Sequence, residues 1–458
     1  MASYCMLQST AVTALPRIQE QVGATQSAAS WVMTAFLISS SVATPILGRL
    51  GDAYGKKRLT LVTLVLLAAG SVLAAIATNI AVLIVARVVQ GVAGGLFPLA
   101  FGMVRDEMPT RLVPIGISLI SSLMAIGFAA GMMTSGPILH AFGYGWIFLL
   151  PGLVAALAAV AMLFLVPESP TRSRERVPLL PALLLAGWLV PLLVGVTSAP
   201  AAGWISLRAL GLIALAVVAC AVWAVVEWRL PVPLIDLRMM TVRGVWSANV
   251  VALTTGLAMF AGFTFYPQFS QVPRSEGYGL GASVIEAGHI TLPQTVGAFA
   301  LGFLVPMVAR RIGTRQVVVA GSLLTAAGAG MAAYFHDETW QMYVVSGLTG
   351  VGVAAVYACL ANAVVAAVRP DQTGAVTGMN ANIRTIGGAF GSAIAATLIA
   401  ARTGPTGYPA EQGYVNVFTF IMMAAVLAAA AGLLIPSGGR RTTLQPAGER
   451  AAARSTSA

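Results

Sequence analysis

Apolar stretches close to the length of a membrane crossing recur about fourteen times along this chain, separated by short polar punctuation. Fourteen helical crossings of about 20 residues would use about 280 positions, which fits a chain of 458 residues. Backbone N–H and C=O groups cannot stay unpaired in lipid, so such stretches must be helices or a closed barrel, and their length favours helices. With 58% hydrophobic and 9% charged residues, a water-soluble globule could not cover its own surface. The expected fold class is an all-α polytopic membrane protein. Its spans run from 6–24, 29–49, 58–77 and 80–103 through 285–309 and 373–400 to 415–436.

Charge sets the expected orientation. Most of the 26 Lys and Arg residues fall in alternate connections, including Arg49 to Arg58, Arg105 and Arg111, Arg172 to Arg176, Arg229 to Arg243, and Arg310 to Arg315. Arg17, Arg208, Arg274 and Arg402 fall near the other face, and Arg87 and Arg384 lie within spans. This asymmetry implies that both termini are cytoplasmic, in a membrane of the bacterial inner-membrane type. The net charge of +11 is then explained by loops that face lipid headgroups, and no nucleic-acid partner is expected.

Other chemistries find little purchase. Cys5, Cys220 and Cys359 are isolated in apolar surroundings, which argues against a disulfide framework or a redox pair. Three histidines and scattered carboxylates suggest no metal site, no GxxxxGK[ST] loop serves ATP, and no nucleophilic triad is specified. Neither an enzyme activity nor a cofactor is expected. The first span, which contains Pro16, reads as retained structure, with a cleavable targeting segment as the alternative.

The junction of the second and third spans is the densest motif. Gly48-Arg49-Leu50-Gly51-Asp52-Ala53-Tyr54-Gly55-Lys56-Lys57-Arg58 places glycines, one carboxylate and a basic cluster in a tight turn. Gly48 and Gly55 allow close backbone turns, and Lys56 and Arg58 hold the loop at the lipid surface. Asp52 is expected to act as a latch whose pairing changes as the bundle opens. A static topogenic turn is the alternative.

These residues resemble the loop signature of the major facilitator superfamily. The stretch from Leu83 to Gly95 is similar to that family's fourth-helix motif, with Arg87 as the membrane-buried arginine, Gln90 as its polar neighbour and Gly91 at a close-packing position. Length and span count resemble the fourteen-helix drug:proton antiporters. So do the segment Glu227 to Arg238, Ala287-Gly288 with Leu292-Pro293, and Gln372-Thr373-Gly374 followed by Arg384-Thr385-Ile386-Gly387-Gly388-Ala389-Phe390-Gly391. The resemblance implies two six-helix bundles with two additional central helices. The division is 1–166 for the N-terminal bundle, 167–243 for the added helices, 244–436 for the C-terminal bundle and 437–458 for a cytoplasmic tail. In the second bundle, 306–315 occupies the place of the first loop, with Pro306 for the leading glycine and Arg310 for the carboxylate.

Two departures from the family pattern bear on coupling. Leu7 to Thr13 lacks the aspartate that family members carry before Ala14-Leu15-Pro16, and in the fifth-helix export motif Gly131 and Gly136 survive while the proline is shifted to Pro137 and Ser135 takes a glycine position. Arg87, costly in lipid unless paired, is therefore expected to take part in proton coupling, with a permanent interhelical clamp as the alternative. Glu286 and His289, one helical turn apart, form a candidate relay, or else an exposed helix mouth. Arg384 is assigned to helix packing or gating.

These readings imply a proton-coupled exporter of hydrophobic or amphipathic small molecules working by alternating access, a monomer among membrane lipids with protons as coupling ions. A proton-independent facilitator and a transporter-like binding or assembly protein are the alternatives. Trp31, Phe36, Phe260, Phe263, Tyr266, Tyr357 and Asn382 are the expected substrate contacts, and helix packing is the competing role for each aromatic.

Overall fold

A computed structural model describes residues 1–21, 26–167, 178–231, 233–368, 373–401 and 408–436. The chain is helical throughout its long elements. In chain order, α1 is Ala2–Gln21, α2 Gln26–Tyr54, α3 Lys56–Ala75, α4 Ile80–Glu107, α5 Val113–Phe142, α6 Gly145–Leu165 and α7 Leu179–Ala202. These are followed by α8 Leu207–Arg229, α9 Arg243–Ser270, α10 Leu292–Ile312, α11 Thr314–Tyr334, α12 Thr339–Ala367, α13 Thr373–Ala400 and α14 Glu411–Gly432. Among the described residues, twelve helices are long and apolar enough to cross a membrane. α1 and α10, with 20 and 21 residues, also have the length of a crossing. The all-α polytopic architecture expected from the sequence is present.

Two junctions show how the repeat is built. Gly55 alone separates α2 from α3 with φ at 109°, and Gly313 alone separates α10 from α11 with φ at 92°. That left-handed backbone strongly favours glycine, so equivalent turns recur in the two bundles even though the residues before them differ.

Apolar side chains from α1 to α6 form one core, centred on Leu7, Val32, Phe36, Leu67, Leu83 and Phe148. A second core joins α9, α11, α12 and α14 through Phe265, Phe269, Tyr414 and Phe418, and a third continues it through Val245, Val318 and Val356. Lipid already solvates apolar groups, so helix association here depends on close van der Waals packing. The glycines of α13 supply it. A Cβ at Gly387 or Gly391 would come within 2.2 Å of the Leu253 or Leu257 carbonyl oxygen on α9, so only glycine permits this approach.

α7 and α8 pack as a hairpin through Trp188 and Trp223, whose rings lie 5.8 Å apart. Leu185, Leu189, Leu193 and Val196 set this hairpin against α2 and α13, one helix from each bundle. At its end Glu227, buried, accepts the backbone N–H groups of Leu234 and Ile235 at 2.9 and 3.4 Å. The carboxylate thereby folds the following loop back onto the helix.

The expected tenth span, 285–309, is two elements. Ser283 caps a short helix, Val284–Ile290, and Pro293 occupies the first turn of α10. Proline has no N–H to continue the earlier helix and its fixed φ suits a new start.

Candidate transport site

A central cavity lies between the two bundles, with about 920 Å³ of space free of protein atoms when its open mouth is included. α1, α2, α4 and α5 line one side, through residues including Tyr4, Gln8, Phe97 and Phe128. α9, α10, α12 and α13 line the other through residues including Phe260, Phe263, Gln294, Tyr357 and Arg384. The wall is mostly apolar with a few polar groups, the usual composition of a small-molecule site. Of the substrate contacts expected from sequence, Phe260, Phe263 and Tyr357 line it. Phe36 lies behind the wall, Tyr266 borders two smaller neighbouring cavities, and Asn382 is buried outside the lining with its side-chain nitrogen unpartnered. Trp31 is half-buried and also outside the lining.

Tyr4, Gln8, Phe128 and Gln294 escaped the sequence reading. The two glutamines carried a usable signal, since an amide inside an apolar span needs a reason to be there.

Arg384 is the single charged residue on the cavity wall among the described residues, and no carboxylate lines it. Its guanidinium carbon lies 4.0 Å from the centre of the Tyr357 ring. Local packing fixes the arginine's place. Its carbonyl oxygen is the atom nearest to Gly256 of α9, where a Cβ would come within 2.2 Å, and Gly388 one turn on receives the Phe260 ring. The run Arg384 to Gly391 is thus a docking surface of small residues that carries one cation.

At the end of the bundle bearing the α2–α3 turn, the halves touch through backbone and polar contacts. A Cβ on Gly374 of α13 would lie 2.6 Å from the Gly48 carbonyl oxygen of α2 and 2.9 Å from Asp52 Oδ2. Arg105, near the end of α4, donates from Nη1 to Thr373 Oγ1 at 2.5 Å and from Nη2 to the Val368 carbonyl at 2.7 Å. Arg310, the C-terminal counterpart of Asp52, donates to the Arg111 carbonyl at 2.9 Å. Asn362 donates to Ser118 Oγ at 3.1 Å. Both repeat-related positions, Asp52 and Arg310, therefore sit where the halves meet.

Behind Asp52 lies a buried ionic cluster. Lys56 Nζ sits 3.2 Å from Asp52 Oδ1 and 2.7 Å from Asp106 Oδ2, with Lys56 and Asp52 each only 1% exposed. Lys56 Nζ donates a hydrogen bond to Asp106 Oδ2, and its contact with Asp52 is the longer and less well aligned of the two. The Lys56 stem reaches the cluster over Gly102, where a Cβ would meet its Cε at 2.6 Å.

Arg87 is fully buried and held by neutral partners from α2 and its own helix. Its Nε donates to the Val32 carbonyl at 3.0 Å, its Nη1 to Gln90 Oε1 at 3.0 Å, and the guanidinium lies 4.1 Å from the centre of the Phe36 ring. Gln90 in turn donates to Ser71 of α3 at 3.2 Å. Gly91 lets α2 approach, since a Cβ there would meet the Phe36 carbonyl at 2.6 Å. Arg87 and Gln90 thus join α2, α3 and α4, one layer behind the cavity. In α5, Gly131 faces Ser9 and Met6 of α1 at distances that exclude a side chain, while Gly136 is half-buried and Pro137 exposed.

Glu286 and His289 lie on the short helix outside α10. Ser283 and Glu286 form a reciprocal cap, with the Ser283 N–H donating to Glu286 Oε2 at 2.8 Å. Hydrogen bonds from Ser283 hold the exposed Glu286 carboxyl below its ordinary range.

Paired helical bundles around a central polar-spotted cavity, meeting at one end through backbone and polar contacts, have the architecture of a membrane transporter. The Major Facilitator Superfamily model matches residues 1–272 and again 251–457, and the chain belongs to that family. It is 30% identical over 391 residues to the Multidrug resistance protein B homolog of Mycobacterium tuberculosis (strain CDC 1551 / Oshkosh), covering 82% of this chain and 70% of that protein. It is 29% identical over 410 residues to the Tetracenomycin C resistance and export protein of Streptomyces glaucescens, covering 87% and 74%. The fold also matches the human organic anion transporter MFSD10 (TETRAN) with a TM-score of 0.63 and 16% identity, over 95% and 98% of the two chains. The protein is a multi-pass membrane transporter of small molecules and not an enzyme.

Proposed function

We propose that this transporter exports hydrophobic or amphipathic small molecules by alternating access, and that it does so without a proton-binding carboxylate at its substrate site. The observation that carries this reading is the central cavity, apolar on most of its wall, bearing Arg384 and no acidic residue among those described. An antiporter that exchanges a proton for a cationic drug within one cavity needs a group there that titrates, and arginine does not. Resemblance to resistance and export proteins supports the direction and the amphipathic substrate class. The twelve spanning helices among the described residues and two more of crossing length, with a hairpin between two bundles, support the drug-exporter branch.

Proton-coupled export is the second reading. Asp52 and Asp106 favour it, as buried carboxylates at the contact between the halves where pairing could follow the access state. Vesicles reconstituted with the purified protein separate the two. Equilibration of a substrate that an imposed proton gradient leaves unchanged supports the first, and uphill movement driven by that gradient overturns it in favour of the second.

A further inference from the structure

We infer that Arg384 and the Tyr357 face form an anion-recognition point, and that the preferred substrates are amphipathic molecules carrying a carboxylate or a comparable oxyanion. This rests on the reading of the central cavity as the substrate site. A guanidinium in a membrane interior is costly unless compensated, and unlike lysine or a carboxyl group it cannot shed its charge by titrating. The described partner of Arg384 is the Tyr357 ring, 4.0 Å away, which is electron-rich at its face but carries no formal charge. No acidic side chain among the described residues lines the cavity to complete the compensation. The planar fork remains suited to two parallel hydrogen bonds from a single oxyanion.

The rest of the wall fits the other half of such a ligand. Phe128 of the first bundle stacks on Phe263 of the second with centroids 4.5 Å apart, and Phe260 lies beside Phe263. This aromatic group, in the same cavity as Arg384, offers flat apolar surface to a hydrophobic body. The same guanidinium repels an ammonium group, so the cavity discriminates by a repulsive element as well as an attractive one. A substrate anion would also neutralise the cavity as it closes, which gives the loaded transporter a lower barrier to changing access than the empty one.

The test uses three ligands with one hydrophobic body, phenylhexanoate, phenylhexanamide and phenylhexylamine, titrated calorimetrically into the full-length protein in lipid nanodiscs at about pH 7.5, where acid and amine are both ionised. Empty nanodiscs supply the partitioning blank. The carboxylate is expected to bind on the order of tenfold more tightly than the amide, with the amine weakest. Arg384→Gln should bring carboxylate and amide to within about twofold, and Arg384→Lys should keep part of the preference because charge remains while the fork is lost.

Equal or tighter binding of the amide or amine by the parent overturns the inference, as does an undiminished carboxylate preference in Arg384→Gln or binding of none of the three. If Arg384→Gln does not fold, the headgroup order in the parent decides alone. Flux in vesicles distinguishes a failure of the underlying transport reading. Binding with the predicted headgroup order but no movement of any ligand would sink transport and leave the anion point standing.

Discussion

Lys56, the first residue of α3, places its ammonium 2.7 Å from the carboxylate of Asp106 near the end of α4 and 3.2 Å from Asp52 near the end of α2. One buried cation thereby ties three helices together, and the less well bonded of its two carboxylates is the one that faces the opposite bundle at Gly374. The contact between the halves and the ionic cluster therefore share an atom group.

Asp52→Asn should lower transport several-fold per inserted molecule, because the charge at the contact goes while its shape stays. The loss of stability should be small, about 1 kcal/mol, since Lys56 keeps Asp106. Lys56→Met removes the shared partner of two buried carboxylates and should cost about 3 kcal/mol or more. Flux normalised to membrane-inserted protein, with thermal unfolding of purified samples, measures both. Unchanged flux in Asp52→Asn would reduce Asp52 to a topological marker.

A methyl group at Gly374 should hold the halves apart. The added Cβ would sit 2.6 Å from the Gly48 carbonyl oxygen, and backbone at such a contact cannot yield as a side-chain tip does. Gly374→Ala is expected to cut flux about tenfold or more and to raise labelling of a cysteine placed in the cavity from the Gly48 end. Gly187→Ala on α7, where nothing lies within 4 Å, is the matched control and should leave flux unchanged.

Arg87→Lys should act on stability ahead of substrate choice. Lysine keeps the charge but cannot reproduce both the bond to the Val32 carbonyl and that to Gln90 while lying flat over Phe36. A loss of about 2 kcal/mol is expected. Among molecules that remain folded, the ranking of substrates should be that of the parent, and a changed ranking would move Arg87 into the coupling machinery.

Glu286→Gln tests the proposed relay with His289 through pH. The hydrogen bonds of the Ser283 cap lower the folded-state affinity of Glu286 for protons, so what they contribute is present above the ordinary carboxylate range and lost as pH falls through the lowered value. Between about pH 5.5 and 8 the group stays ionised and exposed. Substrate-dependent proton movement should thus be the same in mutant and parent over that window. A selective loss of proton-driven flux in Glu286→Gln would restore the relay.

The long apolar runs made the helices legible, since lipid leaves the backbone one local solution and hydropathy reports it directly. Gly55 was legible for a related reason, because a one-residue turn in the left-handed region names its amino acid. Contacts made at a distance in sequence were not. Nothing near Lys56 announces Asp106, fifty positions on, and nothing near Gly48 announces Gly374. In the central cavity, Phe260, Phe263 and Tyr357 could be picked out as aromatics, yet Phe36 and Asn382 looked equally eligible. Which face of a helix meets the cavity depends on rotation about its axis, and a helix whose apolar residues are spread evenly around it, as those of α12 are, gives no moment to read. Arg384 was visible as a motif residue, but its isolation from acids became evident only once the walls from eight helices were assembled.

The hairpin of α7 and α8 makes the two flanks of the transporter unlike one another. On one flank, α2 and α13 are overlaid by α7, so lipid chains are kept from the line where the bundles meet. On the other, α5 packs on α10 and α12 with no such hairpin over them among the described residues, and Val296, Phe299 and Leu304 of α10 are exposed. A molecule already dissolved in the bilayer thus finds a sheltered side and a bare one.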